Sequence, residues 1–206
     1  MNNKIRTELK AKKQAYVRDE IIAAAAKLFA ERGIRAVTID DIASELGYTK
    51  SVVYYYFKNK NQVVWEIFNR IHAAWSQDTT AIIEQDIPPE AMLPALIRRH
   101  ALNVMERTAW TAIYFRDQSE LTAAQQKVVR DRKRQYDERL KEVYQRGAAA
   151  GVFRDIPANL MVSSIIGVCN MTHMWFNPSG RMTPAEIAEH YVTILMQGCL
   201  NTSARP

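Results

Sequence analysis

Residues 38–60 read TIDDIASELGYTKSVVYYYFKNK, and the organisation of the whole chain follows from them. Thr38 stands directly before Ile39, Ile42 and Leu46, which share one helical face at three- and four-residue spacing. Asp41, three residues after Thr38, can return a hydrogen bond to the cap, so a short helix begins here and stops before Gly47. Thr49 can cap a second short helix running to about Phe57. On that helix Val53 and Phe57 lie four apart and face inward with Ile42 and Leu46. Two short helices joined by a tight turn containing glycine make a helix-turn-helix. The alternative is a helical hairpin packed inside some other all-helical protein.

The inward set leaves Lys50, Ser51, Val52, Tyr54 and Tyr55 on the outer faces of the second helix. Tyr54, Tyr55 and Tyr56 follow one another at about 100° each, so they cannot all enter a core. A phenol hydroxyl can donate to a phosphate oxygen, Lys50 can reach a phosphate or a base edge, and the Val52 methyls can pack on a thymine methyl. In a helix-turn-helix the second helix occupies the major groove while the first crosses the backbone.

Upstream, residues from about Ala11 to Arg32 place Ile21, Ile22, Ala25, Leu28 and Phe29 on one face, with Gly33 where a helix stops. Charge is uneven. Residues 1–60 hold 12 Lys and Arg against 7 Asp and Glu, whereas residues 61–206 hold 16 against 15. A basic N-terminal third suits a phosphate backbone. Residues 1–15, with Lys12 and Lys13 among their cations, read as a basic arm that lies along phosphates or enters the minor groove. The alternative for the arm is a solvated tail.

Downstream, Lys60 to Thr80 carries Val63, Val64, Ile67, Phe68, Ile71 and Trp75 on an amphipathic face. Further helices are expected over about Glu90–Arg107, Trp110–Gln118, Thr122–Ala150, Pro157–Phe176 and Thr183–Asn201. Pro94 is assigned to a first turn, where proline is tolerated. The expected fold is therefore all-α, with about nine helices: a three-helix head at 16–60 and a larger bundle at 61–206.

The apolar fraction of 48% supports a packed core. No run of apolar residues is long enough for a membrane span and the N-terminus is charged, so the expected compartment is the cytoplasm and no membrane partner is expected. Cys169 and Cys199 stand in apolar sequence without metal spacing and read as buried free thiols. No metal and no cofactor is expected. A Gly-rich phosphate loop, a nucleophile elbow and HExxH are all missing, which argues against an enzyme.

Tyr54, Tyr55, Tyr56 and Phe57, with Lys60 three residues beyond, fill the aromatic-cluster-plus-lysine pattern of the TetR family's DNA-binding domain, and the resemblance covers about residues 16–66. It implies phosphate contacts from Thr38, Tyr54 and Lys60, and base or phosphate contacts from Thr49, Lys50, Ser51, Val52 and Tyr55. Tyr48 and Thr49, where such proteins often carry Val and Ser, also belong to the expected interface. The family implies a repressor that binds a palindromic operator as a homodimer and is released by a small-molecule inducer. An activator, or a DNA-binding protein without a ligand, is the alternative.

Met161, Ile165, Cys169, Thr172, Tyr191, Ile194 and Leu195 are the expected dimer interface, because the last two helices offer broad apolar surfaces beside small residues; the alternative is that these helices finish the monomer's own core. Candidates for the inducer pocket are Trp65, Phe68, His72, Trp75, Met105, Trp110, Tyr114, Tyr136, Met171 and Trp175, about a third of which should touch ligand. Arg116 joins them as a receiver for an anionic group, as Arg130, Arg132, Lys133 and Arg134 could. The segments FRDQSEL, YQRGAAAGVFR and MWFNPSGRMTPAEIAEHYV are similar to TetR regulators that sense acyl-CoA thioesters, which would give the basic residues phosphates to bind.

Overall fold

The computed structural model describes residues 2–200, and side chains from Ile5 onward. Among the described residues it holds nine α-helices, a short 3₁₀ turn at Gln118–Glu120 and no strand beyond a single bridge between Phe153 and Leu200. The first helix, α1, runs over Asn2–Arg32 without a break. The basic arm is thus a helical extension and not a separate segment: Lys12 and Lys13 lie exposed on α1. Gly33 ends it at φ +81°, and its N–H donates to the Phe29 carbonyl at 2.9 Å.

Helices α2 (Ile39–Glu45) and α3 (Lys50–Tyr56) follow. The Thr38 backbone N–H donates to Asp41 Oδ2 at 2.7 Å while the Asp41 N–H donates back to Thr38 Oγ1 at 3.1 Å, closing the reciprocal cap. The Thr38 hydroxyl, which donates to Asp41 Oδ2 at 2.5 Å, and then the Thr38 N–H hold the Asp41 carboxyl below the usual carboxylate range. Gly47, at φ +66°, takes the left-handed position in the turn, and the Tyr48 N–H returns to the Ala43 carbonyl at 2.8 Å.

The body comprises α4 (Lys60–Ile83), α5 (Pro89–Glu106), α6 (Thr108–Arg116), α7 (Ala123–Ala149), α8 (Ala158–Trp175) and α9 (Pro184–Cys199). Pro94 stands inside α5 and not in its first turn, so the Glu90 carbonyl lacks its helical donor there. No helix among the described residues is long and apolar enough to cross a membrane.

The core falls into two clusters, and the first runs across residue 60. One contains Ile21, Phe29, Ile42, Val53 and Phe57 of the head, but continues through Val63, Ile67 and Phe68 of α4 to Ile113 and Tyr114 of α6. The other joins Leu93 and Ile97 of α5, Leu140 and Tyr144 of α7, Ile165 of α8 and Ile187 of α9. The head therefore shares its interior with the start of α4 and with α6.

Three residues expected at a dimer interface are instead monomer core: Ile165, Cys169 and Thr172 are each fully buried. Met161, Tyr191 and Leu195 are half-buried, and Tyr191 Oη and Thr172 Oγ1 share a hydrogen bond at 2.8 Å. Ile194 alone of that set is well exposed, at 63%. The uncovered apolar stripe of α8 is the opposite one, Leu160, Val168, Met171, Met174 and Trp175. Both thiols are buried and free, and burial pushes the Cys169 thiol up to about 12.

Candidate nucleic-acid interface and ligand cavity

Val53 is fully buried and Phe57 nearly so, which anchors α3 by one face and leaves the other outside. Tyr54 and Tyr55 are 45% and 67% exposed, and Thr49, Lys50 and Ser51 are exposed beside them. Val52 and Tyr48 are half-buried at the edge of this surface. The Lys50 ammonium lies 5.9 Å from the Tyr54 ring centroid and donates to Asp40 Oδ2 at 2.9 Å, which pushes its pKa up. Thr49 and Ser51 hydroxyls are 3.0 Å apart, so one donor remains between them for another acceptor. Gln14 Nε2 donates to Tyr55 Oη at 2.8 Å, tying α3 to the N-terminal part of α1.

Lys60 has a different task from the phosphate contact expected of it. Its ammonium donates to the carbonyls of Ile34 and Val37 at 2.7 and 2.8 Å, and to that of Arg35 at 3.4 Å. All three donors thus point at backbone, stapling the α1–α2 connection to the start of α4. Thr38 is exposed at the α2 N-terminus, where amide N–H groups and the helix dipole favour an anion.

In the body, a cavity of about 140 Å³ is walled by His72, Trp75, His100, Tyr114, Phe115, Lys133, Tyr136, Asp137, Ile166 and Asn170. Of the eleven expected ligand residues, His72, Trp75, Tyr114 and Tyr136 are here. The others are elsewhere. Phe68 is buried against Tyr114, with ring centroids 5.2 Å apart, and Met105 is buried in the second core. Trp65 and Trp110 pack on the head core under the guanidiniums of Arg132 and Arg107, at 5.5 and 5.6 Å. Met171 and Trp175 stand on the exposed stripe of α8. Arg116 Nη2 donates to the Phe29 carbonyl at 3.0 Å, at the junction of α6 with α1.

No local pattern in the sequence singles out His100, Asn170 or Phe115. His100 is 5% exposed, with Nδ1 2.7 Å from Tyr136 Oη and Nε2 2.8 Å from Asn170 Oδ1. Burial lowers its pKa, and burial followed by the nearby Arg132 charge does the same to His72, so both rings are held toward the neutral form. Burial also lowers Lys133 and raises Asp137.

His72 and Tyr136 also line a second hollow, with Asn69, Ser76, Arg132, Gln135 and Arg139 and no carboxylate. Arg132 donates to Asn69 Oδ1 at 2.9 Å and Arg139 to Thr80 Oγ1 at 2.7 Å. Neither guanidinium has an acidic partner among the described residues.

An exposed second helix anchored by its inner face, on a head fused to a helical body, defines a class of helix-turn-helix DNA-binding proteins. Residues 21–67 match the family described as bacterial regulatory proteins, tetR family, and residues 86–199 match the tetracyclin repressor-like C-terminal domain. The chain belongs to the TetR family of DNA-binding transcriptional regulators, whose members are not enzymes. It is similar to the HTH-type transcriptional repressor KstR2 of Mycolicibacterium smegmatis, 27% identical over 183 residues, which cover 88% of this chain and 89% of that one. The structure of the ketosteroid transcriptional regulator KstR2 of Mycobacterium tuberculosis matches with a TM-score of 0.84 at 25% identity, covering 89% of this chain and 95% of that one. AibR, solved with isovaleryl coenzyme A and operator DNA, shares the fold at a TM-score of 0.78 and 24% identity, covering 86% of this chain and 96% of that one.

Proposed function

We propose that this chain is a homodimeric repressor that holds a palindromic operator and lets go when an amphipathic acyl thioester, of the coenzyme A class, enters the body. The observation that carries the DNA half is α3, fixed by buried Val53 and Phe57 with Lys50, Ser51, Tyr54 and Tyr55 outside. Two such helices must sit about 34 to 36 Å apart to enter successive major grooves on one face of DNA. Lys12 and Lys13 extend the cationic surface along α1 toward neighbouring phosphates.

The second copy docks on the uncovered stripe of α8 with Ile194 of α9, since a contiguous exposed apolar face marks an interaction surface. The inducer half rests on an apolar, aromatic cavity and, beside it across His72 and Tyr136, a hollow with two arginines that have no acidic partners. That arrangement suits a molecule with an apolar end and a phosphate-bearing end. KstR2 is named for ketosteroids and AibR holds isovaleryl coenzyme A, both ligands with an apolar part.

Ligand and operator are linked through α6. Tyr114 and Phe115 line the cavity, Tyr114 belongs to the head's core, and Arg116 holds the α1 C-terminus. A ligand that favours one placement of α6 thereby biases head spacing, a coupling typically worth about 1 to 3 kcal/mol.

Footprinting on the chain's own upstream DNA tests the reading. One protected palindrome is expected, lost in Tyr54→Ala and Lys50→Ala proteins that remain helical by circular dichroism. Sedimentation should give a dimer, and Met174→Asp with Ile194→Asp a monomer. Diffuse protection without a preferred site, or full occupancy by the α3 variants, would sink the DNA half.

A further inference from the structure

The inner end of the cavity has a polarity that an alkyl chain would leave unanswered. A neutral imidazole donates from one nitrogen and accepts at the other. The Asn170 carbonyl faces His100 Nε2, so that nitrogen carries the hydrogen, and Nδ1 accepts from the Tyr136 hydroxyl. The chain of bonds ends at Asn170 with its Oδ1 occupied and its amide N–H₂ without a protein partner among the described residues. That nitrogen is not sealed off, because no buried side-chain nitrogen or oxygen among them lacks a partner. Asn170 lines the cavity, where a ligand can meet that nitrogen. Charge inside the cavity is balanced: Lys133, its ammonium 5.4 Å from the Tyr114 ring centroid, is matched by Asp137 one turn further along α7. A neutral acceptor fits this environment better than a carboxylate or an ammonium.

Resting on the thioester reading above, we propose that the inducer's acyl group is ring-sized and bears a carbonyl oxygen that accepts from Asn170 Nδ2, while its phosphates remain outside on Arg132 and Arg139. Size agrees, since a cavity of about 150 Å³ accommodates a benzene ring and this one holds about 140 Å³ among Trp75, Tyr114 and Phe115. Selectivity follows from desolvation. A ligand with no acceptor buries the Asn170 donor unpaired, and sites built to hydrogen-bond a ligand group reject the analogue that lacks it.

Titration calorimetry on the full chain uses cyclohexanecarbonyl-CoA, its 4-oxo and 4-hydroxy counterparts, and the matching pantetheine thioesters, which lack the nucleotide phosphates. The 4-oxo CoA ester should bind about tenfold more tightly than the unsubstituted one. In Asn170→Asp, which still accepts from His100 but has no N–H to offer, that preference should vanish, with melting temperature as the folding check. Arg132→Gln with Arg139→Gln should weaken the CoA esters about tenfold and the pantetheine esters hardly at all. Equal affinity for oxo and unsubstituted esters, a preference for the hydroxy ester, or an oxo preference that survives in Asn170→Asp would each overturn the proposal. If no CoA ester binds, the thioester reading falls with it; if the esters bind without preference, only the present inference falls.

Discussion

The head and the body keep their polar groups in different places. All four buried polar residues among the described ones, Thr79, His100, Thr111 and Thr172, lie in the body, whereas the head's interior is aliphatic and aromatic from Ile21 to Phe57. A sealed apolar core has few alternative packings, which suits a part that must present α3 at fixed geometry. A body that surrounds a cavity with hydrogen-bonded side chains can take up a ligand at little cost in packing. Tyr114 belongs to both worlds, being packed in the head's core while facing the cavity.

The strongest way to break that division is Phe68→Ala. Phe68 is fully buried where α4 meets Tyr114, and truncating such a side chain costs about 3 to 5 kcal/mol. Urea unfolding should show one earlier transition, seen alike by tryptophan fluorescence and by circular dichroism. Two separated transitions would mean that head and body do not share a core. A smaller perturbation confined to the body is Gly147→Ala. A Cβ there would stand 2.2 Å from Phe153 Cδ2, displacing a ring stacked on Tyr144 at 5.4 Å. Overpacking of this kind costs about 1 to 3 kcal/mol. The melting temperature should fall while operator affinity, measured well below the transition, stays as it was.

Acid distinguishes the halves next. His100 and His72 have pKa values lowered in the folded protein, so the unfolded chain takes up the proton first. Their stabilising contribution is complete above the ordinary histidine value of about 6.5 and declines as pH falls below it, by at most about 1.4 kcal/mol per pH unit for each ring. Asp41 and Glu45 of the head are also lowered, but from the carboxylate range, so they lose their contribution only in stronger acid. Between pH 6.5 and 5, hydrogen exchange should quicken in α5 and α8 and not in α2 and α3. Equal acceleration in both would contradict the contrast.

What could be read from sequence divides along the same line. Thr38, Asp41, Gly33 and Gly47 act on neighbours within a few residues, so the head's helices and turn were visible in order. The start of α1 was not: residues 5–10 have no buried face to reveal a period, but extending an existing helix is far easier than nucleating one. On α8 two opposite faces are apolar, and periodicity cannot say which is inside. The sequence pattern favours Ile165, Cys169 and Thr172 for the interface, while Val168, Met171 and Met174 are the exposed set. His100, Tyr136 and Asn170 come from three helices, and only the packing of α5, α7 and α8 brings them together.

The mildest test separates shape from contact within the head. Thr38 is both the cap of α2 and an exposed hydroxyl on the proposed DNA side. Thr38→Ala removes the acceptor for the Asp41 N–H and should lower stability by about 1 kcal/mol, with weaker operator binding as a consequence of a frayed α2. Thr38→Ser restores the cap and keeps a hydroxyl, and should recover both properties. Thr38→Asp keeps a capping acceptor but places a negative charge toward phosphate, so stability should return while operator affinity drops further and the slope of affinity against salt changes. Parallel recovery of stability and binding in Thr38→Asp would show that Thr38 serves only to hold α2, leaving α3 and the cations beside it to make the approach to DNA.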